Sequence, residues 1–122
     1  MPLHVVDPSD YVSLLERPEE YIIFYASVEN GKMWCGDCRA VDDVVQKTFA
    51  PNGPAAAIVY VGSKPEWKAE DNVFRGEPFK VTDVPTIVKL KEKKELARLV
   101  LEEINTKLAA FVNSEVRPAA DV

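Results

Sequence analysis

Cys35 and Cys38, the only cysteines of the chain, stand three residues apart and directly follow Trp34. On the first turn of a helix this spacing puts both side chains on one face, close enough to form a disulfide with modest strain. Thiol–disulfide exchange needs one exposed, ionised sulfur that attacks, and a second that releases the mixed disulfide. Unbonded N–H groups at a helix start stabilise a thiolate, so we predict that Cys35 is the nucleophile and Cys38 the resolving thiol.

Three other roles of the cysteine pair have weaker support. A structural disulfide would close a loop too short to restrict the unfolded chain much. A zinc site would need ligands from a second subunit, because the chain has no third cysteine and His4 is its single histidine. Two inert core cysteines are the third alternative, but Gly36 and Asp37 between them favour an exposed turn.

Length and composition limit the class of protein. We expect one domain over residues 1–122, long enough to bury a core without disulfides. With 47% hydrophobic and 29% charged residues, a soluble protein is expected, and no apolar run reaches the length of a membrane span. The net charge of -5 argues against nucleic acid as a partner. The first residues lack the basic segment and the apolar segment of a signal peptide, so we expect a cytoplasmic protein.

The elements that must position the cysteines are alternating strands and helices. A polar loop with Asn30-Gly31 as its turn precedes the cysteine pair, and a long connection over 62–83 is expected to be partly helical near Glu66. Residues 95–111 fit either one helix or a strand followed by a helix. Hydrophobic patterning predicts strands over 3–6, 21–25, 55–61 and 86–90, and helices over 8–15 and 35–49.

This order of features resembles the thioredoxins: an apolar strand, Trp-Cys-x-x-Cys opening a helix, a second strand, and Val-Pro-Thr before a third. The chain is more similar still to the thioredoxin-related proteins typified by thioredoxin domain-containing protein 17. The positions that carry this similarity are Gly31-Lys32, Trp34, Asp37, Lys64-Pro65, Trp67-Lys68, Phe74-Arg75, Lys80-Val81-Thr82 and Val84-Pro85-Thr86.

The resemblance implies an α/β thioredoxin fold, with a central mixed β-sheet flanked by helices. It makes 95–99 an antiparallel strand and 102–111 the last helix. It also implies that Pro85 is cis and faces the cysteines, and that the Val84 backbone is free to pair with an extended substrate. Trp34, Gly36 and Asp37 would support the site.

The chain also departs from its relatives. Ordinary thioredoxins carry a buried aspartate, a proton acceptor for the resolving thiol, where Ile23 stands here. Asp37 is the nearest substitute, or simply a favourable residue for the first turn of a helix. Gly36 replaces the proline of the Trp-Cys-Pro-Asp-Cys motif in the thioredoxin-related proteins named above and should loosen the helix start.

The resulting prediction is a cytosolic, monomeric dithiol–disulfide oxidoreductase without a bound cofactor, re-reduced by an NADPH-dependent thioredoxin reductase. Residues 27–33 form a longer segment than ordinary thioredoxins have, so we expect small or extended disulfides as substrates. The alternative is a redox-silent adaptor that binds a partner through Trp34, Trp67 and Phe74. A glutaredoxin-like enzyme has less support, because its usual Gly-Gly turn is missing. A secreted isomerase has less support, because we find no signal peptide.

Overall fold

The predicted alternation of strands and helices is present in the computed structural model, which describes residues 3–50 and 52–113. The expected domain bounds of 1 and 122 lie outside the described residues. The elements are β1 (Leu3–Val6), a first 3-10 helix (Pro8–Glu16), β2 (Tyr21–Tyr25), β3 (Val28–Glu29), β4 (Lys32–Met33), α1 (Gly36–Phe49), β5 (Ala56–Tyr60), α2 (Lys64–Lys68), a second 3-10 helix (Val73–Arg75), β6 (Thr86–Lys91), β7 (Lys94–Val100) and α3 (Glu103–Asn113).

Five of the strands form a mixed sheet in the order β1-β5-β2-β6-β7. β5 runs parallel to both β1 and β2, whereas β6 is antiparallel to β2 and β7 is antiparallel to β6. β2 lies at the centre, and all five of its residues are buried. A strand covered on both faces needs apolar residues at every position, which explains its uninterrupted hydrophobic run.

The two faces of β2 contact different parts of the chain. On one face, the ring of Tyr21 lies 5.4 Å from that of Phe49 in α1. On the other face, the ring of Phe24 lies 5.7 Å from those of both Phe74 and Phe79. The long connection between β5 and β6 is therefore packed against the sheet, and it is helical around Glu66, as expected. These contacts confirm the expected fold, a central mixed sheet with helices on its faces.

Two local predictions need correction. The segment before the cysteines is not a loop but a hairpin, because β3 pairs with β4 in an antiparallel manner. Asn30 and Gly31 form its turn with φ values of 54° and 86°, the positive angles that a two-residue hairpin turn requires. The helix after Asp7 is a 3-10 helix rather than an α-helix. The strand-then-helix interpretation of residues 95–111 is confirmed by β7 and α3.

Among the described helices, none combines the length and the apolar character needed to cross a membrane.

Candidate active site

Cys35 and Cys38 lie at the start of α1, as predicted, and both are free cysteines, with no disulfide between them. Cys35 is the N-cap residue, with extended backbone angles of φ -95° and ψ 118°. Its Sγ accepts a hydrogen bond from the Cys38 N–H at 3.3 Å. Cys35 is half-buried, whereas Cys38 is fully buried. The two cysteines thus differ in their exposure to solvent, although they lie within one helical turn.

The environment of Cys38 disfavours its thiolate. Burial is the main reason why the pKa of the Cys38 thiol is raised, and the neighbouring Cys35 and Asp37 raise it further. The Ala26 N–H donates to the Cys38 Sγ at 3.4 Å and opposes this shift. In the resting dithiol state Cys38 is therefore held as a neutral thiol inside the protein.

The segment before β6 lies against Cys35. The Val84–Pro85 peptide bond is cis, as the resemblance implied, and both residues are buried. The Cys35 thiol donates a hydrogen bond to the Val84 carbonyl at 3.5 Å. The expectation that the Val84 backbone is free therefore needs correction for its carbonyl, which the thiol engages in this state.

Trp34 lies beside the cysteine pair and is half-buried. Its indole Nε1–H donates to the Gly62 carbonyl at 2.9 Å. The other two aromatic residues of the adaptor alternative, Trp67 and Phe74, are only 5% and 2% exposed. They belong to the core, so the exposed aromatic surface on which that alternative depended is not formed by these side chains.

Gly36 and Asp37 are both exposed on the first turn of α1. A Cβ at Gly36 would meet Arg39 Nη2 at 3.6 Å, an ordinary contact, so the fold does not demand glycine here. The charge of Asp37 acts on the site by raising the pKa of Cys38. Ile23, which the resemblance compares with the buried aspartate of ordinary thioredoxins, is fully buried in β2.

Two sets of residues near the cysteines were not predicted from the sequence. The Tyr25 hydroxyl donates to Asp42 Oδ1 at 3.0 Å, and burial together with the charges of Asp42 and Cys38 raises the Tyr25 pKa. Ser27 and Gly62 hold Trp34 through hydrogen bonds. The one available signal was a glycine directly after a predicted strand, where a positive φ is common.

Within the described part of the chain, no three His, Cys, Asp or Glu side chains are grouped so that they could hold a metal ion.

Comparison with known proteins shows which family this chain is similar to. A family profile described as "Thioredoxin domain-containing protein 17-like, thioredoxin domain" matches residues 8–112. Thioredoxin domain-containing protein 17 of Homo sapiens is 41% identical over 61 residues, which are 48% of this chain and 49% of that protein. The chain thus matches about half the length of that relative. Thioredoxin-like protein Clot of Oryza sativa subsp. japonica is 31% identical over 110 residues, covering 81% of this chain and 79% of that protein.

Solved structures agree with this result at the level of the fold. The crystal structure of Chlamydomonas reinhardtii thioredoxin f2 superimposes with a TM-score of 0.64 at 19% identity, covering 95% of this chain and 98% of that one. The X-ray structure of Fasciola hepatica thioredoxin gives a TM-score of 0.55 at 25% identity, covering 90% and 96%. The similarity therefore extends over nearly all of the chain.

Proposed function

Because the chain belongs to the thioredoxin domain-containing protein 17-like family of thioredoxin-fold redox proteins, we propose that it is a disulfide reductase that uses Cys35 and Cys38. The observation that carries this proposal is the asymmetry of the pair. Cys35 is accessible at the helix start, whereas Cys38 is buried behind it with a raised pKa.

The proposed reaction has two exchange steps. The Cys35 thiolate attacks one sulfur of the substrate disulfide, forms a mixed disulfide and releases the other half as a thiol. Cys38 then loses its proton and attacks the Cys35 Sγ, which releases the second thiol and closes the Cys35–Cys38 disulfide. The substrate gains two electrons and two protons. The buried position of Cys38 supports this order, because its neutral thiol cannot compete for the first attack.

The oxidised pair must be reduced again, and we propose an NADPH-dependent thioredoxin reductase as the electron donor. The protein itself would bind no cofactor and would act as a monomer in the cytoplasm. One thioredoxin of the same fold, thioredoxin f2, was solved in a complex with ferredoxin:thioredoxin reductase. That complex is an example of this fold docking on a reductase.

We further propose that the substrates are small or extended disulfides. The β3–β4 hairpin ends at Met33, directly before Trp34 and Cys35, so it stands at one side of the attacking sulfur. The α2 segment begins two residues after Gly62, which contacts Trp34. Walls on two sides would admit cystine or a flexible peptide more easily than a folded protein.

An NADPH-consumption assay tests the proposal. We expect NADPH oxidation only when this protein, thioredoxin reductase and a disulfide are all present, and none with Cys35→Ser. A second arm omits the reductase and adds the chemically reduced protein directly to the disulfide. Transfer in the second arm alone would show that the reductase is wrong. Failure of both arms with cystine, a peptide disulfide and insulin would contradict the proposed activity.

A further inference from the structure

Four hydrogen bonds join Ser27, Trp34 and Gly62 into a cluster, which we call the Trp34 network. The Gly62 carbonyl accepts from the Trp34 indole Nε1–H at 2.9 Å and from the Ser27 N–H at 3.3 Å. The Gly62 N–H donates to the Ser27 Oγ at 2.9 Å. The Trp34 N–H donates to the Ser27 carbonyl at 3.3 Å. Each residue is thus bonded to both of the others.

The sheet topology brings these distant residues together. β2 and β5 are parallel neighbours, with Tyr25 opposite Tyr60, so the chain leaves both strands at the same edge. The Val61 N–H continues the pairing by donating to the Tyr25 carbonyl at 2.9 Å. Ser27 and Gly62 therefore meet just beyond the strand ends, although 35 positions separate them in the sequence.

Gly62 suits this position because its φ is +119°, a backbone angle that other residues rarely adopt. A Cβ there would also meet the Glu66 Cβ at 2.9 Å. The orientation of this residue directs its N–H and its carbonyl towards Ser27, with the carbonyl shared by Trp34. The Ser27 hydroxyl is the only side-chain group that fixes this orientation through the Gly62 N–H in the described residues.

The Trp34 network closes the base of the β3–β4 hairpin. Ser27 directly precedes β3, and Trp34 directly follows β4, so both ends of the hairpin are bonded to the end of β5. Trp34 is also the residue before the N-cap Cys35. Trp34 is therefore held through both its backbone N–H and its indole N–H, one residue before the attacking Cys35.

We propose that Ser27 is a positioning residue: its hydroxyl orients the Gly62 peptide, and the Gly62 carbonyl in turn holds the Trp34 indole as the hairpin-side wall of the substrate groove. The kinetic part of this inference rests on the proposed disulfide reductase function. Its structural part, the fixed position of Trp34, can be measured without any turnover.

The test compares Ser27→Ala, which removes the hydroxyl, with Ser27→Thr, which retains it. Ser13→Ala is the matched control, because the Ser13 hydroxyl is exposed and donates only to the Asp10 carbonyl in the first 3-10 helix. Acrylamide quenching of tryptophan fluorescence reports on Trp34, since Trp67 is buried. A Trp34→Phe variant supplies the Trp67 signal alone, and the melting temperature of each variant shows that it is folded.

We expect Ser27→Ala to increase the quenching of Trp34 and to raise the KM for cystine about twofold to tenfold, the range given by loss of one neutral hydrogen bond. The alkylation rate of Cys35 by iodoacetamide should change less than the KM. Ser27→Thr and Ser13→Ala should behave like the wild type. In the Trp34→Phe background, Ser27→Ala should add no further increase in KM, because both changes break the same chain of contacts.

Unchanged quenching in folded Ser27→Ala would overturn the inference, as would KM effects that add independently of Trp34→Phe. A wild-type protein that reduces no disulfide would contradict the proposed function instead. Increased quenching in Ser27→Ala would still support the positioning of Trp34 in that case, so the two failures are distinguishable.

Discussion

Cys35 and Cys38 acquire different properties although both lie within one turn of α1. The N-cap position leaves Cys35 half-exposed, with its thiol bonded to the Val84 carbonyl. Cys38 faces the core, where burial raises the pKa of its thiol. This difference favours one order of reaction, in which Cys35 meets the substrate and Cys38 acts only after the mixed disulfide has formed.

Glu19 is a buried charged residue at the opposite end of β2 from the cysteines, with a side chain only 2% exposed. Arg17 donates to its two carboxylate oxygens at 2.9 and 3.0 Å, and His4 Nδ1 lies 2.6 Å from one of them. Burial of the carboxylate opposes its ionisation, but these hydrogen bonds outweigh burial, so the pKa of Glu19 is lowered.

The lowered pKa of Glu19 predicts a stability that depends on pH. A depressed folded-state pKa contributes stability above the unfolded-state value of about 4.3, and that contribution is lost as the pH falls through the folded-state value. We expect Glu19→Gln to lower the free energy of unfolding by about 1–3 kcal/mol at pH 7, because hydrogen bonds to a charged partner are lost. Urea unfolding at several pH values measures this difference, which should narrow below about pH 4.3.

Glu20→Gln is the matched control for this experiment, because Glu20 is the exposed neighbour of Glu19. It should change stability by less than about 0.5 kcal/mol at every pH. Equal effects of the two substitutions at pH 7, or a difference that persists at low pH, would contradict the role given to the Glu19 carboxylate.

At the scale of elements, the β3–β4 hairpin is the feature by which the entrance of the proposed site should differ from that of ordinary thioredoxins. Both of its strands contain two residues, and Val28 at its start is 54% exposed. The Trp34 network bonds the hairpin at its base, so the hairpin can be shortened at its tip while its ends stay together. This arrangement allows its effect on substrate access to be tested.

Deletion within residues 28–32, to the length found in ordinary thioredoxins, should raise the turnover of insulin relative to that of cystine by about tenfold, the lower end of the discrimination that a small difference in pocket shape supplies. The reason is that a folded protein needs a broad approach to Cys35, which the hairpin narrows. The measurement is the ratio of the two turnover rates in the NADPH assay. Val28→Ser, which keeps the hairpin length, should leave this ratio unchanged.

Two results would show that the hairpin does not control access. The first is an intact protein that reduces insulin as fast as a general thioredoxin does. The second is a shortened hairpin that leaves the ratio of rates unaltered.

Predictability from the sequence differed between elements for physical reasons. β2 and the cysteine-bearing helix were predictable, because long apolar runs and helical periodicity are local signals. The hairpin was predicted only as a turn, since two-residue strands have no measurable periodicity. The cis bond before Pro85 came from the family resemblance, because an X-Pro sequence alone does not fix the isomer.

For the Trp34 network, the sequence offered only one signal, the glycine directly after a predicted strand. The network depends on the parallel pairing of β2 with β5, which brings Ser27 and Gly62 together from distant parts of the chain. Register between strands is a property of the folded sheet, and no local pattern specifies it here.

At the scale of the whole molecule, the candidate site collects residues from several elements at one end of the sheet. The chain leaving β2 carries Ala26, the chain leaving β5 carries Gly62, and Pro85 enters β6. Helices and the long connection cover the two faces of the sheet with apolar side chains. The fold therefore rests on this core rather than on a bond between the cysteines, which leaves the cysteine pair available for a redox cycle.

The most direct measurement of the proposed mechanism is the capture of the mixed disulfide. Reduced Cys38→Ser protein is mixed with a substrate disulfide such as cystine, and intact mass and peptide mapping locate the adduct. Attack without resolution should leave half of the substrate bound to Cys35, and the wild type should instead finish with an internal disulfide and no adduct. Under the same conditions, Cys35→Ser should form little adduct, because Cys38 is buried. Faster adduct formation through Cys38 than through Cys35, or no adduct in either variant, would contradict the mechanism.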